Sequence, residues 1–287
     1  MWFFALGIPA VILATISFCT LRDPPRGMSD PFPLGTTAPP SMLKVLKFLW
    51  SKKSVRHILF GGGFAAISMG ALGAFFARFL VSSFHLGFAR AGLLLGLMGG
   101  TAMASGLTLG GMGLDWASKF DKRWYVWGPA LGLMLSVPLF ILGVSQTTVF
   151  ATILILSIAH VALFVYWTPT LAMAQNMVGA NMRASSAFVV SLVLGLVGMG
   201  LGPTLVGFLS DEFAHRAFAL GDFAAQCPGG EAIAGAGTAL AHACMNASAA
   251  GVRYAIITMS LPLAWASLHY FLAGHRLRTD LDTHYTE

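Results

Sequence analysis

His160 stands inside an apolar run, residues 149–169, and Phe164, Tyr166 and Trp167 follow it within two helical turns. An ionisable ring in such a place is costly and defaults to a functional reading. It can line a cavity and sense pH, or bond a helix carbonyl and do no more. Tyr166 and Trp167 fit the same cavity or an interfacial aromatic belt, because Pro169 already lies near the end of the run. Arg78, in GAFFARFLVSSFHL, either meets an anion at a cavity mouth or snorkels to headgroups. Gln175 and Asn176 suit an inner gate or a helix cap. A short charged loop, GGMGLDWASKFDKRW, carries Gly111, Asp115 and Lys119 at four-residue spacing. Glycine permits a tight turn there, and Asp115 can accept hydrogen bonds from a neighbouring helix N-terminus. Lys119 or Arg123 can hold that carboxylate or face lipid phosphate.

Covalent chemistry has no such footing. There is no nucleophile with a base and an orienting group, no G-x-x-x-x-G-K-[ST] phosphate loop and no H-E-x-x-H. The eight histidines are scattered, and no cysteine–histidine spacing makes a metal site. The expectation is a protein that is not an enzyme and takes no cofactor or metal. Cys227 and Cys244 lie in the largest loop, 210–253; an exterior compartment would permit a disulfide, and two unpaired thiols are the alternative. Cys19 reads as a small apolar residue.

The elements that position these residues are long and apolar. The chain is 56% hydrophobic and 10% charged, whereas soluble domains carry about 25% charged residues. Seven segments are long enough to span a bilayer: 2–21, 56–80, 87–111, 124–141, 149–169, 184–209 and 255–273. The net charge of +6 would suggest nucleic acid in a soluble chain; here the basic residues sit in short loops and set topology. Thirteen Lys and Arg fall on the side of the first loop and the C-terminal tail, four on the other. That places the loop and tail in the cytoplasm, and an odd number of spans then puts the N-terminus outside. No basic region precedes the first segment and no clean cleavage site follows it, so it reads as a membrane helix that has lost what preceded it rather than a signal peptide. Seven spans with an exterior N-terminus also fit a seven-helix receptor.

Between the first two segments, MSDPFPLGTTAPP is too proline-rich for regular structure. In SMLKVLKFLWSKKSVR, Leu43, Leu46, Leu49 and Trp50 recur at helical spacing among Lys44, Lys47, Lys52 and Lys53. This predicts an interfacial helix under the cytoplasmic leaflet, running on into the next span, with a calmodulin-like target as the rival reading. Gly92, Gly96 and Gly100, then Gly106 and Gly110, form a four-residue repeat that favours close helix contact or sliding between helices.

Four stretches carry a family resemblance. The loop GGMGLDWASKFDKRW resembles the repeated cytoplasmic signature of the major facilitator superfamily, in the copy joining helices 8 and 9. GIPAVILATISFCTLRDPPRG looks like helix 6 running into the central loop. Residues 181–211 resemble helix 11 of the spinster-like transporters, matching at Arg183, Ala184, Gly198, Gly200, Gly202, Pro203, Gly207, Ser210 and Asp211. The family's usual asparagine is replaced at or beside Gly195, and GVRYAI looks like the start of helix 12. The resemblance implies an all-α polytopic membrane protein: helix 6 at 1–22, a central cytoplasmic loop with its amphipathic segment at 23–55, a C-terminal six-helix bundle at 56–273, and a cytoplasmic tail at 274–287. It implies a gradient-driven carrier of a small organic solute, an organic anion or amphiphile, in a bacterial inner (plasma) membrane with the C-terminus cytoplasmic. The implied partners are that solute, a co-transported ion, membrane lipids, and helices 1–5 or a partner chain; nucleic acid is not among them. Arg78, His160, Phe164, Tyr166, Trp167, Gln175 and Asn176 are then the substrate candidates. Gly111, Asp115, Lys119 and Arg183 would form a charged gate on the cytoplasmic face. The alternatives are a membrane interaction protein, or a remnant that needs a partner half, and the seven-helix receptor.

Overall fold

The computed structural model describes residues 2–21 and 40–282, and every regular element among them is a helix. The expectations for the proline-rich stretch and for the last five residues lie outside the described residues. α1 (Trp2–Thr20) belongs to a unit of its own, residues 1–39. It is apolar throughout, and Thr15 and Thr20 donate to the carbonyls of Val11 and Ile16 one turn back, at 2.8 and 2.7 Å. Such back-bonding satisfies hydroxyls where no water is at hand.

The second unit begins with α2 (Met42–Ser51), followed by six helices long and apolar enough to cross a membrane. These are α3 (Lys53–Phe84), α4 (Phe88–Ser118), α5 (Trp124–Val144), α6 (Val149–Asn176), α7 (Arg183–Ala217) and α8 (Thr238–Asp280). α3 has 32 residues, about 48 Å at 1.5 Å each, which exceeds a ~30 Å hydrocarbon core. It begins on a turn with Lys53 and Arg56 and stops at His85, which is left-handed. α3 packs against α4, α6, α7 and α8; α5 bridges α6 and α8, and α4 leans on α6. The core between them holds Phe76, Phe79, Leu133, Phe140, Leu156, Leu163 and Tyr270.

Glycine sets two of the crossings. A Cβ at Gly198 of α7 would fall 2.5 Å from the Cβ of Ala66, and one at Gly70 of α3 would fall 2.5 Å from the Gly198 carbonyl oxygen. Only hydrogen at these positions lets the two backbones meet. On α4, Gly106 and Gly110 back onto α6 in the same way. Gly92, Gly96 and Gly100 do not: nothing lies within 4 Å of a Cβ built there. The repeat read as one stripe divides in two along the helix, because only its later part, Gly106 and Gly110, meets a neighbouring backbone. Each crossing coincides with a π turn, Leu109–Gly113 in α4 and Val193–Met199 in α7.

Three boundaries differ from the sequence reading. The last helix starts at Thr238, well before 255, so GVRYAI lies inside it and Arg253 is an intrahelical charge. Alanine-rich TALAHACMNASAA hides that start, since it is a good helix former without a strong apolar signal. The loop read as 210–253 shrinks accordingly to 218–237, with helical turns at Phe223–Gln226 and Pro228–Gly230. α2 does not run into α3, because Lys52 is extended between them. On α2, Val45 and Leu49 are buried, while Leu43, Leu46 and Trp50 remain exposed.

Candidate functional site

The α6 candidates diverge. His160 is 8% exposed and its Nδ1 lies 2.7 Å from the Leu156 carbonyl oxygen. A carbonyl only accepts, so Nδ1 carries the proton. The ring is wedged between Phe76 of α3 and Phe140 of α5, with both centroids 5.1 Å away. Phe164 turns instead toward α4, where Gly106 makes room for it. Tyr166 is fully buried against Tyr270 of α8, ring centroids 6.3 Å apart, with Trp167 at 5.9 Å. Its hydroxyl has no hydrogen-bond partner among the described residues. Thr170 donates to the Tyr166 carbonyl at 2.5 Å, so Tyr270 must be the donor in its own bond to Thr170. These aromatic candidates thus face α3 and α5, α4, and α8, and share no single pocket wall.

A helix break explains the scatter. Pro169 has no N–H for the Val165 carbonyl, and the chain turns at Val165 and Tyr166 before α6 resumes at Trp167. Gly110 of α4 packs onto that carbonyl, and the Thr168 hydroxyl donates across to Leu107 at 3.3 Å. Gly111 lies alongside, its Cβ position 3.5 Å from Thr168 Cγ2. Sequence inspection passed over Thr170 and Tyr270; the hydroxyl four residues after Tyr166 was a usable signal, but its partner lies 100 residues away.

At one end of the bundle, Arg78 is exposed and donates from Nη2 to the Gly229 carbonyl at 2.9 Å. That carbonyl sits in a loop closed by a disulfide between Cys227 and Cys244, Cα atoms 5.6 Å apart. Ser248 of α8 donates to the next carbonyl, Gly230, at 3.2 Å. A small core of Ala214, Phe218, Phe223 and Ala247 packs around the disulfide.

The opposite end gathers the charged loops. Asp115 accepts from the Tyr125 hydroxyl at 2.7 Å rather than from Lys119 or Arg123. Lys119 is exposed, and Arg123 lies over the Trp127 ring at 5.5 Å. A second carboxylate, Asp121, accepts from the Arg123 backbone N–H at 2.9 Å and pairs with Arg278 of α8 at 2.8 Å. The hydrogen bond from the Arg123 amide chiefly holds its carboxyl below the usual aspartate range; desolvation pushes the other way, and the Arg278 contact adds to the lowering. Asp280 of α8 accepts from both the amide and the hydroxyl of Ser54, at 2.9 and 2.5 Å, and so caps the start of α3. Gln175 and Asn176 close α6 here, half-buried and exposed respectively. Arg183 opens α7, exposed, one turn before Ser186 donates to the Ala174 carbonyl of α6 at 2.6 Å.

No family model matches the chain, and no curated protein sequence does. Solved structures do. A bacterial homologue of the human lysosomal transporter Spinster, inward-facing and unoccupied, superposes with a TM-score of 0.76 at 26% identity, covering 96% of this chain and 59% of its own. The inward-facing occupied form of a bacterial Spinster homologue gives 0.72, again at 26% identity, over 96% of this chain and 57% of that one. The chain therefore spans under two thirds of the length of the structures it resembles.

Proposed function

We propose that this chain corresponds to the C-terminal half of a Spinster-like transporter of the major facilitator superfamily and shares in carrying a small organic solute across a membrane. The observation that carries this reading is the open apolar side of α4 and α7. Gly92, Gly96, Gly99 and Gly100 on α4, with Gly195 and Gly200 on α7, have nothing within 4 Å of a built Cβ. Only 17% of the apolar window of α4 is buried, against 50% for α3. Rows of small residues are how membrane helices admit a close partner, and a second bundle, helices 1–5 or a partner chain, is the partner this reading needs.

The solute is an organic anion or amphiphile. Arg78 commits Nη2 to a loop carbonyl, which leaves the rest of its fork for an anion, and half-buried Phe164 and Trp167 offer apolar surface. Gly111, Asp115, Lys119 and Arg183 act as the inner gate, with Gln175 and Asn176 beside it. The basic end faces the cytoplasm and the disulfide end the exterior, as the positive-inside count and the chemistry of thiol oxidation both favour. An ion or solute gradient drives the cycle, since the sequence has no nucleotide loop.

The test is uptake of labelled lysolipids and aromatic acids into liposomes holding this chain alone, or co-expressed with an N-terminal half. Solute should accumulate only with both halves, and Arg78→Ala should lower the affinity for anions. Transport by the chain alone would overturn the two-bundle reading, and a preference for neutral sugars indifferent to Arg78 would overturn the solute class.

A further inference from the structure

Two of the scattered histidines meet. His57 of α3 and His269 of α8, 212 residues apart, face each other through like atoms, Nδ1 to Nδ1 at 3.1 Å. Both are half-buried rather than sealed in the core. The His269 ring is held in place by Phe60, Phe64 and Trp265, with centroids at 5.6, 6.2 and 5.9 Å. Two N–H groups cannot point at each other, so at least one Nδ1 presents its lone pair toward the other ring.

We propose that His57 and His269 form a two-point site for a divalent late-transition cation, Zn²⁺ or Cu²⁺, that clips α3 to α8. Imidazole is the ligand these ions favour among neutral side chains. With metal–nitrogen bonds of roughly 2.0–2.1 Å, two ligands stand about 2.9 Å apart at a right angle and about 3.4 Å apart at the tetrahedral angle. The separation of 3.1 Å falls between these, so both nitrogens reach one cation once the ring that donates in their hydrogen bond carries its proton on Nε2 instead. Water completes the coordination. Arg56, next to His57 in the chain, opposes a cation and makes this a site of modest affinity. The clip lies near the Ser54–Asp280 contact on the same helix pair, and the two together would resist separation of α3 from α8. This inference is independent of the transport reading.

The test uses tag-free, chelator-treated protein in detergent. Cu²⁺ should bind one per chain, with an electron paramagnetic resonance spectrum showing two imidazole nitrogens. His57→Ala and His269→Ala should each leave one nitrogen and weaken binding about a hundredfold, the loss expected when a chelate becomes a single contact. Zn²⁺ should raise the thermal midpoint of the parent protein and of neither variant. His57→Asn and His269→Asn serve if the alanine variants do not fold. A one-nitrogen spectrum in the parent, binding that survives both substitutions, or no binding would overturn the site.

Discussion

His160 illustrates how a costly residue can be satisfied locally. Its proton goes to a carbonyl of its own helix and its faces go to Phe76 and Phe140, so the ring behaves as an aromatic core residue. His160→Phe should leave stability nearly unchanged, whereas His160→Ala should lose roughly 3 kcal/mol through the cavity it opens. Denaturant titration in detergent would distinguish this from a pH-sensing role, in which both changes would alter the pH profile of uptake while stability held. Asp121 makes a second prediction. Its carboxyl is held below the ordinary value of 3.8, so the folded chain releases this proton more readily than the unfolded one. The contribution is complete above the unfolded value and is lost as pH falls through the depressed one. Asp121→Asn should therefore remove part of the decline in thermal midpoint below about pH 4. An unchanged acid profile would show that neither the Arg123 amide nor the Arg278 contact to Asp121 contributes to stability.

Among the elements, α3 and α7 depend on their crossing and α4 does not depend on its open row. Gly198→Leu would drive a side chain into Ala66 and should cost about 1–3 kcal/mol or more, the usual penalty for overpacking. Gly96→Leu meets nothing within 4 Å and should change the stability of the isolated chain by less than about 0.5 kcal/mol. If the open row receives a second bundle, Gly96→Leu should nevertheless weaken co-purification with an N-terminal half. A Gly96→Leu chain that is as unstable as Gly198→Leu would contradict this division of the two faces.

For the six-helix unit as a whole, the two ends are tied by different chemistry. An ion pair and a carboxylate cap join α3, α8 and the α4–α5 loop at the basic end, while a disulfide and the Arg78 contact hold the loop after α7 at the other. Salt should weaken the Arg278–Asp121 pair and leave the disulfide unaffected. Cys227→Ser should cost roughly 3 kcal/mol, the loop-closure value for a bridge spanning 17 residues. Thermal unfolding with and without reductant would measure it. Insensitivity to reductant would place the loop's stability in its small core of Phe218 and Phe223 instead.

Much was legible in the chain before any coordinates. Segment length and apolarity identify the spans, since a backbone in lipid must satisfy itself by forming helices, and the helix from Arg183 to Asp211 carried the family's pattern. The boundaries were legible only where charge or proline marks them; an alanine-rich helix start such as Thr238 gives no such mark. Contacts across the bundle were not legible at all. Tyr270 finds Thr170, Asp121 finds Arg278, and His57 finds His269 over separations of 100, 157 and 212 residues. Nothing local encodes such meetings. They follow from where the glycines let helices cross and from the turn that Pro169 imposes on α6, and those crossings rotated His160, Phe164 and Tyr166 toward different neighbours despite their closeness in sequence.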